Sequence, residues 1–405
     1  MRFCMVTTFY PPFHFGGDAI YVRALSRALV SAGHEVEVIH CEDAYRLANK
    51  CEPESSISTD DGIIVHRLRS RFGPLSPILT QQTGHPILKK RALESILSRD
   101  FDVTNFHNIS LIGGPGVLKM SLSPVTLYTL HEHWLLCPTH VFWKNRSKLC
   151  DKSQCLRCCL RSGIAPQFWR YTGLLQRALS QVDAFFSPSP YTAKRHHAIN
   201  PALPIHVLPL FTDIEPGKDR ANQRPSRPNF LYVGRITASK GILSLLKTFE
   251  EQPEYTIKLI GDGELRQPLE RHYADNAAIQ FLGTVSRAEL ANHYRDATAV
   301  ILPSIAPETF GLIVIEAFAF GTPVIARDSG GSAGLINTTG GGTVYRHDKE
   351  LSGILHSLVT DPQLREILGK RGRSGFKKYF TKDQHLTKYL GHIEKIQKTK
   401  GIDAI

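Results

Sequence analysis

Glu308 and Glu316 stand eight positions apart in PSIAPETFGLIVIEAFAFGTPVIARDSGG, and two carboxylates so spaced beside glycines suit a ligand with a diphosphate between two hydroxyl-bearing ends. If most of the interval is helix, a rise of ~1.5 Å per residue separates them by ~12 Å, close to the distance from sugar to ribose across a diphosphate. A helix beginning near Phe310 turns the free N–H groups of Gly311 and Leu312 towards an anion, and Gly311 lets a phosphate approach the backbone closely. The spacing alone favours an ordinary amphipathic helix with two surface glutamates; the residues around it shift the balance. A second cluster is C-x(12)-C-x(4)-C-x(2)-C, running from Cys137 through Cys150 and Cys155 to Cys158, with Cys159 beside it. Four thiolates on a short, loop-rich segment fit a structural zinc site with no open coordination position, although the spacing is irregular for a zinc ribbon and free thiols fit it too.

These residues must be carried by sizeable cores. A chain of 405 residues, 42% of them hydrophobic, is expected to form two domains. No apolar run reaches the ~18 residues that span a bilayer. MRFCMVTTFYPP meets a proline pair before a signal-peptide core could form, so a cytoplasmic location is expected and a disulfide framework is not. Lys and Arg outnumber Asp and Glu by 49 to 37. The excess gathers between Lys144 and Arg177, where the basic residues face only Asp151 and alternate with Trp143, Phe168, Trp169 and Tyr171. That mixture suits an anionic surface, lipid phosphate or nucleic acid, and equally a solvated basic face.

The elements follow a repeating rhythm. An apolar run from Phe3 to Thr8 reads as a buried strand, followed by a loop with Gly16 and Gly17. A helix follows with Ala19, Val22, Leu25 and Leu29 on one face, stopped by Gly33, and then a strand from Val36 to His40. Such a βαβ opening implies parallel strands covered by helices. Ile63–Leu68, Val103–Phe106, Val125–Leu130, Asp183–Ser187 and His206–Leu208 are further strands. The polar, proline-rich 212–228 reads as a linker. Beyond it the rhythm restarts with strands Asn229–Val233, Thr256–Ile260, Ile279–Phe281, Ala299–Leu302 and Pro323–Ala326, and with helices from about Lys240, from about Glu264, over Arg287–Tyr294 and over Phe310–Phe320. The expected architecture is α/β, with two doubly wound, Rossmann-like parallel-sheet lobes facing a central cleft. Residues 1–211 form the acceptor-side lobe with a Cys-rich basic insert at about 137–170, 229–384 the nucleotide-sugar-binding lobe, and 385–405 a C-terminal helix that can return to the first.

P-S-x(3)-E-x-F-G-x(4)-E-A, followed by GTPVIA and GG, resembles the E-x7-E signature of glycosyltransferase family 4. VGRITASKGILSLLKTF, LIGDGELRQPLE and IQFLGTVSRAELANHYRDATAVILPS fit the same family in the same order. FYPPFHFGGDAIYVRALSRALVSAGHEVEVI resembles its first-lobe Gly-Gly loop and helix, so that only about 144–170 falls outside the resemblance. The resemblance implies a GT-B fold and a retaining transfer of a sugar from a nucleotide-sugar donor of UDP or GDP type to a saccharide or lipid-linked acceptor. Cell-surface polysaccharide or glycolipid synthesis is the implied setting, with no cofactor needed for catalysis.

It also implies roles. Arg235 and Lys240 match the family's diphosphate pair, which stabilises charge growing on the departing phosphate. Glu316 matches the ribose-binding carboxylate and Glu308 the glutamate beside the donor sugar. His131 in LHEHW matches the active-site histidine, with His133 a weaker companion. Gly16, Gly17, Gly234, Gly261, Gly263, Val285, Phe310, Gly311 and Leu312 complete the donor side, while His107 and Asn108 sit at an acceptor-side strand end. Gly334 stands where the family usually has Glu. Asp18 has no account at this level. An epimerase-like enzyme on the same lobes and a non-catalytic, zinc-stapled basic binding module are the alternatives. Joint retention of Arg235, Lys240, Glu308 and Glu316 argues against the module, and nucleic acid is not an expected partner. The absence of G-x-G-x-x-G after the first strand argues against a dehydrogenase. The basic, aromatic insert suggests peripheral contact with an anionic membrane.

Overall fold

The computed structural model describes residues 1–48, 59–145, 147–214 and 227–402; most of the expected linker, and Arg146 of the basic stretch, lie outside these. The chain divides into two compact units, one of Met1–Val141, Asp151–Pro209 and Lys382–Ile405, the other of Phe142–Cys150 and Leu210–Thr381. Each is a Rossmann-like lobe.

The strands in chain order are β1 Arg2–Val6, β2 Glu35–Cys41, β3 Thr59–Asp60, β4 Ile63–Leu68, β5 Val103–Phe106, β6 Val125–Thr129, β7 Trp143–Lys144, β8 Lys148–Leu149, β9 Ala184–Ser187 and β10 Ile205–Val207. In the second unit they continue as β11 Asn229–Val233, β12 Thr256–Ile260, β13 Ile279–Gly283, β14 Ala299–Leu302, β15 Val324–Arg327 and β16 Gly342–Tyr345. The first sheet runs β10-β9-β6-β5-β1-β2-β4-β3. Its pairings are parallel except for the β3–β4 hairpin. The second runs β13-β12-β11-β14-β15-β16, parallel throughout. Strands covered on both faces read as continuous apolar runs, as FCMV and AVIL do. Helices of opposite faces leave β1 and β5 in one sheet, and β11 and β14 in the other, because the strand order reverses there. Such a switch point opens a crevice at the carboxyl ends of the strands.

The cores follow the sequence periodicity. The Gly17–Ser31 helix buries Ala19, Val22, Leu25 and Leu29. Val6, Ile39, Phe106, Tyr128 and Phe185 lie in the first core, and Phe230, Tyr232, Ile257, Leu259, Ile301 and Ile325 in the second. The Lys382–Lys400 helix belongs to the first lobe, where Tyr389 and Ile393 are buried. Its His385 Nδ1 reaches the Pro209 carbonyl at 2.7 Å, and Asn105 Nδ2 donates to Tyr389 Oη at 3.0 Å. Asp60 on β3 accepts from Arg23 Nε at 2.6 Å, Arg27 Nη2 at 2.6 Å and Tyr10 Oη at 3.0 Å.

One expectation is corrected, and one strand of the second sheet is new. The helix expected over Phe310–Phe320 occupies Leu312–Ala319, with Gly311 at φ 103° before it, so half of the Glu308-to-Glu316 interval is not helical and the 12 Å ruler fails there. Strand β16 escaped the sequence reading because it emerges from the run GGGTVY, too short and glycine-rich to show alternation.

Candidate active site

In the second lobe the loops at the switch point clasp one another through their backbones. Ile305 and Ala306, after β14, donate to the Ser239 carbonyl, after β11, at 3.0 and 2.9 Å. Glu308 forms a parallel bridge with Gly330, after β15, and its carbonyl accepts from Gly331 N–H at 2.7 Å. Gly330 has φ 79°, and a Cβ there would overlap the Glu308 backbone, so only glycine permits this approach.

This clasp sets Lys240 and Glu308 together across 68 positions of sequence. Lys240 Nζ donates to Glu308 Oε1 at 2.5 Å, and Ser304 Oγ donates to the same oxygen at 2.6 Å. Both bonds fall on Oε1, and Oε2 has no hydrogen bond among the described residues. Burial pushes the Glu308 carboxyl up, but Lys240, Ser304 and Arg235 together outweigh it and hold the group ionised, below its ordinary value. Arg235 is exposed, and its carbonyl accepts from Tyr232 Oη at 2.7 Å, which fixes the loop that carries it.

Glu316 is buried on the Leu312–Ala319 helix, which rules out the surface-glutamate alternative. Tyr294 Oη donates to its Oε2 at 2.7 Å, Thr212 Oγ1 to its Oε1 at 3.4 Å, and Arg287 Nη1 lies 3.6 Å from Oε1. Arg287 is shared with Asp213. Burial raises the Glu316 carboxyl above its ordinary value despite Arg287, Tyr294 and Thr212. Ser304, Tyr294 and Arg287 all lie inside the quoted motifs, in view without a role; nothing in the sequence pointed to Thr212, at the start of the expected linker.

The other donor-side residues divide. Gly311 and Leu312 stand at the start of a helix, with free N–H groups. Gly234 N–H donates to Ile260 O at 2.9 Å and Gly261 N–H to Gly283 O at 2.8 Å, so these glycines join the ends of β11, β12 and β13. Gly263 belongs to the same junction, since a Cβ on it would overlap Ile236. Val285 is partly exposed just beyond β13. Phe310 is 2% exposed, with its ring edge-on to Phe380, and serves the core. Gly334 has open space around its Cα on the Gly331–Thr339 helix, so the missing glutamate side chain is not excluded by packing.

In the first lobe Gly16 caps and Gly17 opens the Gly17–Ser31 helix, beyond β1. His107 and Asn108 follow β5, and His131 lies just beyond β6. His107 Nδ1 and His131 Nε2 are 2.9 Å apart. Asn108 Nδ2 donates to Asp18 Oδ2 at 3.3 Å. Burial, and then the charge of Glu132, raise Asp18 to about 6. Glu132 Oε2 meets His140 Nδ1 at 2.7 Å. His133 is buried against Tyr191 and His196.

On spacing the cysteine cluster fits either a structural zinc site or free thiols, and its members fall on different elements. Among the described residues no three His, Cys, Asp or Glu side chains converge to hold a metal ion. Cys155, Cys158 and Cys159 share the Cys155–Arg161 helix, whereas Cys150 ends the small β7–β8 hairpin, whose residues group with the other unit. Cys155 and Cys159 are raised by burial and by the neighbouring cysteines, and Arg170 lies among them as a cation that opposes the rise. Arg170 stacks on Trp134 and Trp169 and donates to the Trp134 carbonyl at 2.8 Å.

Comparison with known proteins follows the same division. Residues 15–216 match the model described as Glycosyltransferase Family 4, and residues 214–375 the one described as Glycosyl transferases group 1. A D-inositol 3-phosphate glycosyltransferase of Paenarthrobacter aurescens is 26% identical over 388 residues, covering 88% of this chain and 87% of that one. The sulfoquinovosyl transferase SQD2 of Arabidopsis thaliana is 33% identical over 164 residues, 39% of this chain and only 32% of that protein. Among solved structures, a sucrose-phosphate synthase from Thermosynechococcus elongatus superposes with a TM-score of 0.77 at 20% identity, covering 98% of this chain and 99% of that one. HepE of Anabaena in complex with UDP superposes at 0.66 with 15% identity, covering 98% and 100%.

Proposed function

Since this chain belongs to the group 1 and family 4 glycosyltransferases and has their GT-B fold, we propose that it transfers a sugar with retained anomeric configuration from a nucleotide diphosphate to a saccharide or lipid-linked acceptor. The observation that carries this reading is the Lys240–Glu308–Ser304 cluster at the strand-end switch point of the second lobe. As the bond from the anomeric carbon to the phosphate oxygen breaks, negative charge grows on the β-phosphate. Lys240 and Arg235 stabilise that charge more in the transition state than in the ground state. The acceptor hydroxyl bonds to the anomeric carbon on the face the phosphate leaves, and its proton passes to the departing phosphate, so no separate base is needed. Glu308, kept ionised, offers Oε2 to a sugar hydroxyl or to the positive charge of the oxocarbenium-like centre. Glu316 accepts from ribose hydroxyls once Tyr294 and Thr212 yield part of their hold. The UDP held by the HepE neighbour supports a UDP-type donor, and cell-surface polysaccharide or glycolipid synthesis is the setting this chemistry serves.

Titrating UDP, GDP and ADP calorimetrically without metal should show saturable binding of one nucleotide, weakened at least tenfold in Arg235→Ala, the worth of ~1.4 kcal/mol in a charge-assisted contact. Binding of none of the three would remove the donor-site reading.

A peripheral membrane contact is part of the proposal. No helix among the described residues is long and apolar enough to cross a bilayer. The Cys155–Arg161 helix exposes Leu156 and Leu160 beside Arg157 and Arg161, and Phe168 and Tyr171 are exposed nearby in sequence. Apolar side chains set among cations suit an anionic interface. Vesicles containing acidic lipid should retain the protein at low salt and release it at high salt; retention indifferent to lipid charge and salt counts against the contact.

A further inference from the structure

The pair of histidines in the first lobe has a proton inventory that decides which nitrogen of His131 is protonated. His107 Nδ1 and His131 Nε2 lie 2.9 Å apart, and the ring centroids are 5.1 Å apart with planes tilted by 24°. That separation at so small a tilt is that of two imidazoles meeting edge to edge, with the hydrogen bond in their common plane. Burial pushes His131 down to about 3, and burial with the neighbouring His131 pushes His107 below its ordinary value, so each ring is neutral and carries one proton. His107 is 1% exposed, and its Nε2 has no hydrogen-bond partner among the described residues.

Two arrangements satisfy the contact. If His131 Nε2–H donates, His107 Nδ1 accepts, and the proton of His107 must sit on Nε2 as a buried donor with nothing to meet. If His107 Nδ1–H donates, its Nε2 is an unprotonated acceptor. An unmatched buried N–H is much rarer in proteins than an unmatched acceptor, because it forfeits a full hydrogen bond to water. The second arrangement therefore wins. The pair's surroundings are themselves fixed: the Tyr21 ring lies 5.2 Å from that of His131. His385 Nδ1 must donate to the Pro209 carbonyl, so its Nε2 accepts from Tyr21 Oη at 2.8 Å.

We propose that His107 is a positioning residue that donates from Nδ1 to His131 Nε2 and so locks His131 as the Nδ1–H tautomer, a hydrogen-bond donor to a substrate oxygen rather than a proton acceptor. His107 is thereby reassigned from the acceptor side to the support of His131. The catalytic consequence rests on the transferase reading above; the tautomer does not. A free neutral histidine prefers its proton on Nε2, so the lock reverses the intrinsic preference and needs a partner that donates.

The test is two-bond ¹H–¹⁵N correlation spectroscopy of ¹⁵N-histidine-labelled protein, with the His131 signals assigned through His131→Gln. The expected wild-type spectrum shows a protonated Nδ1 and a bare Nε2 on His131, and His107→Phe moves the proton to Nε2. With a donor nucleotide sugar and an acceptor, His107→Phe should lower kcat about tenfold, the loss of one oriented hydrogen bond, with KM nearly unchanged. His107→Asn, whose amide N–H can stand in for Nδ1–H, should restore both the tautomer and most of kcat. Protonated Nε2 on wild-type His131 overturns the proposal, as does an unchanged tautomer in His107→Phe. The wild-type spectrum decides even if that variant does not fold. If the tautomer is as stated and no sugar is transferred, the histidine pair stands and the transferase reading fails; transfer with the opposite tautomer has the reverse meaning.

Discussion

Lys240→Ala should lower kcat on the order of 10³-fold, about 4 kcal/mol of transition-state stabilisation, with a smaller rise in the KM for the donor. Two losses add. The ammonium no longer meets the charge that grows on the leaving phosphate. The partner it abandons, Glu308, then keeps only Ser304 at 2.6 Å, while the burial that raises its carboxyl is opposed only by Ser304 and the more distant Arg235. The Glu308 group should therefore take up a proton more readily in the variant, and the acid limb of its pH–rate profile should move to higher pH. Lys240→Arg should not restore the rate, because a planar fork cannot replace a point charge held at 2.5 Å from Oε1. Steady-state kinetics of Lys240→Ala, Glu308→Gln and the double variant measure the coupling. A single-variant rate within tenfold of wild type would place the phosphate elsewhere.

Asp60→Ala should destabilise the first lobe by about 3 kcal/mol, the lower end for breaking a buried ion pair, because Arg23 and Arg27 are each partly open to solvent. Removing the carboxylate strands two guanidinium groups and the Tyr10 hydroxyl on one edge of the sheet. The sign of the pH dependence follows from the direction of the shift. Burial raises the Asp60 carboxyl, but Arg23, Arg27 and Tyr10 outweigh it and leave it below the ordinary carboxylate value. Its contribution is complete above the unfolded-state value and is lost as pH falls through the lower, folded-state value. Denaturant titrations should accordingly show the gap between wild type and Asp60→Ala constant near neutrality and narrowing in acid. A gap that is absent at pH 7, or that widens in acid, would show that the cluster does not stabilise the lobe.

Local sequence was enough for much of this protein. Apolar runs of four to six residues alternating with helical periodicity determine two parallel, doubly wound sheets, because a strand buried on both faces leaves no other pattern. Glycines at turns and the E-x7-E motif with its flanks marked the residues that the fold then gathered at the switch point of the second lobe. Tertiary structure decided what each of those residues touches. The contact of Lys240 with Glu308 spans 68 positions and depends on backbone bonds among the loops after β11, β14 and β15. Tyr294 and Arg287, from one helix, and Thr212, from a segment more than 70 positions earlier, converge on Glu316. Cysteine spacing suggested a metal centre, but spacing carries no record of the hairpin that holds Cys150 or of the Arg170 guanidinium set among the other thiols. Asp18, raised to about 6, acquired an environment only when burial and Glu132 were brought beside it. Periodicity and backbone preference act between near neighbours and can be read along a chain. Hydrogen bonds, ion pairs and protonation depend on distances of a few ångströms between distant segments, and only the folded chain sets those.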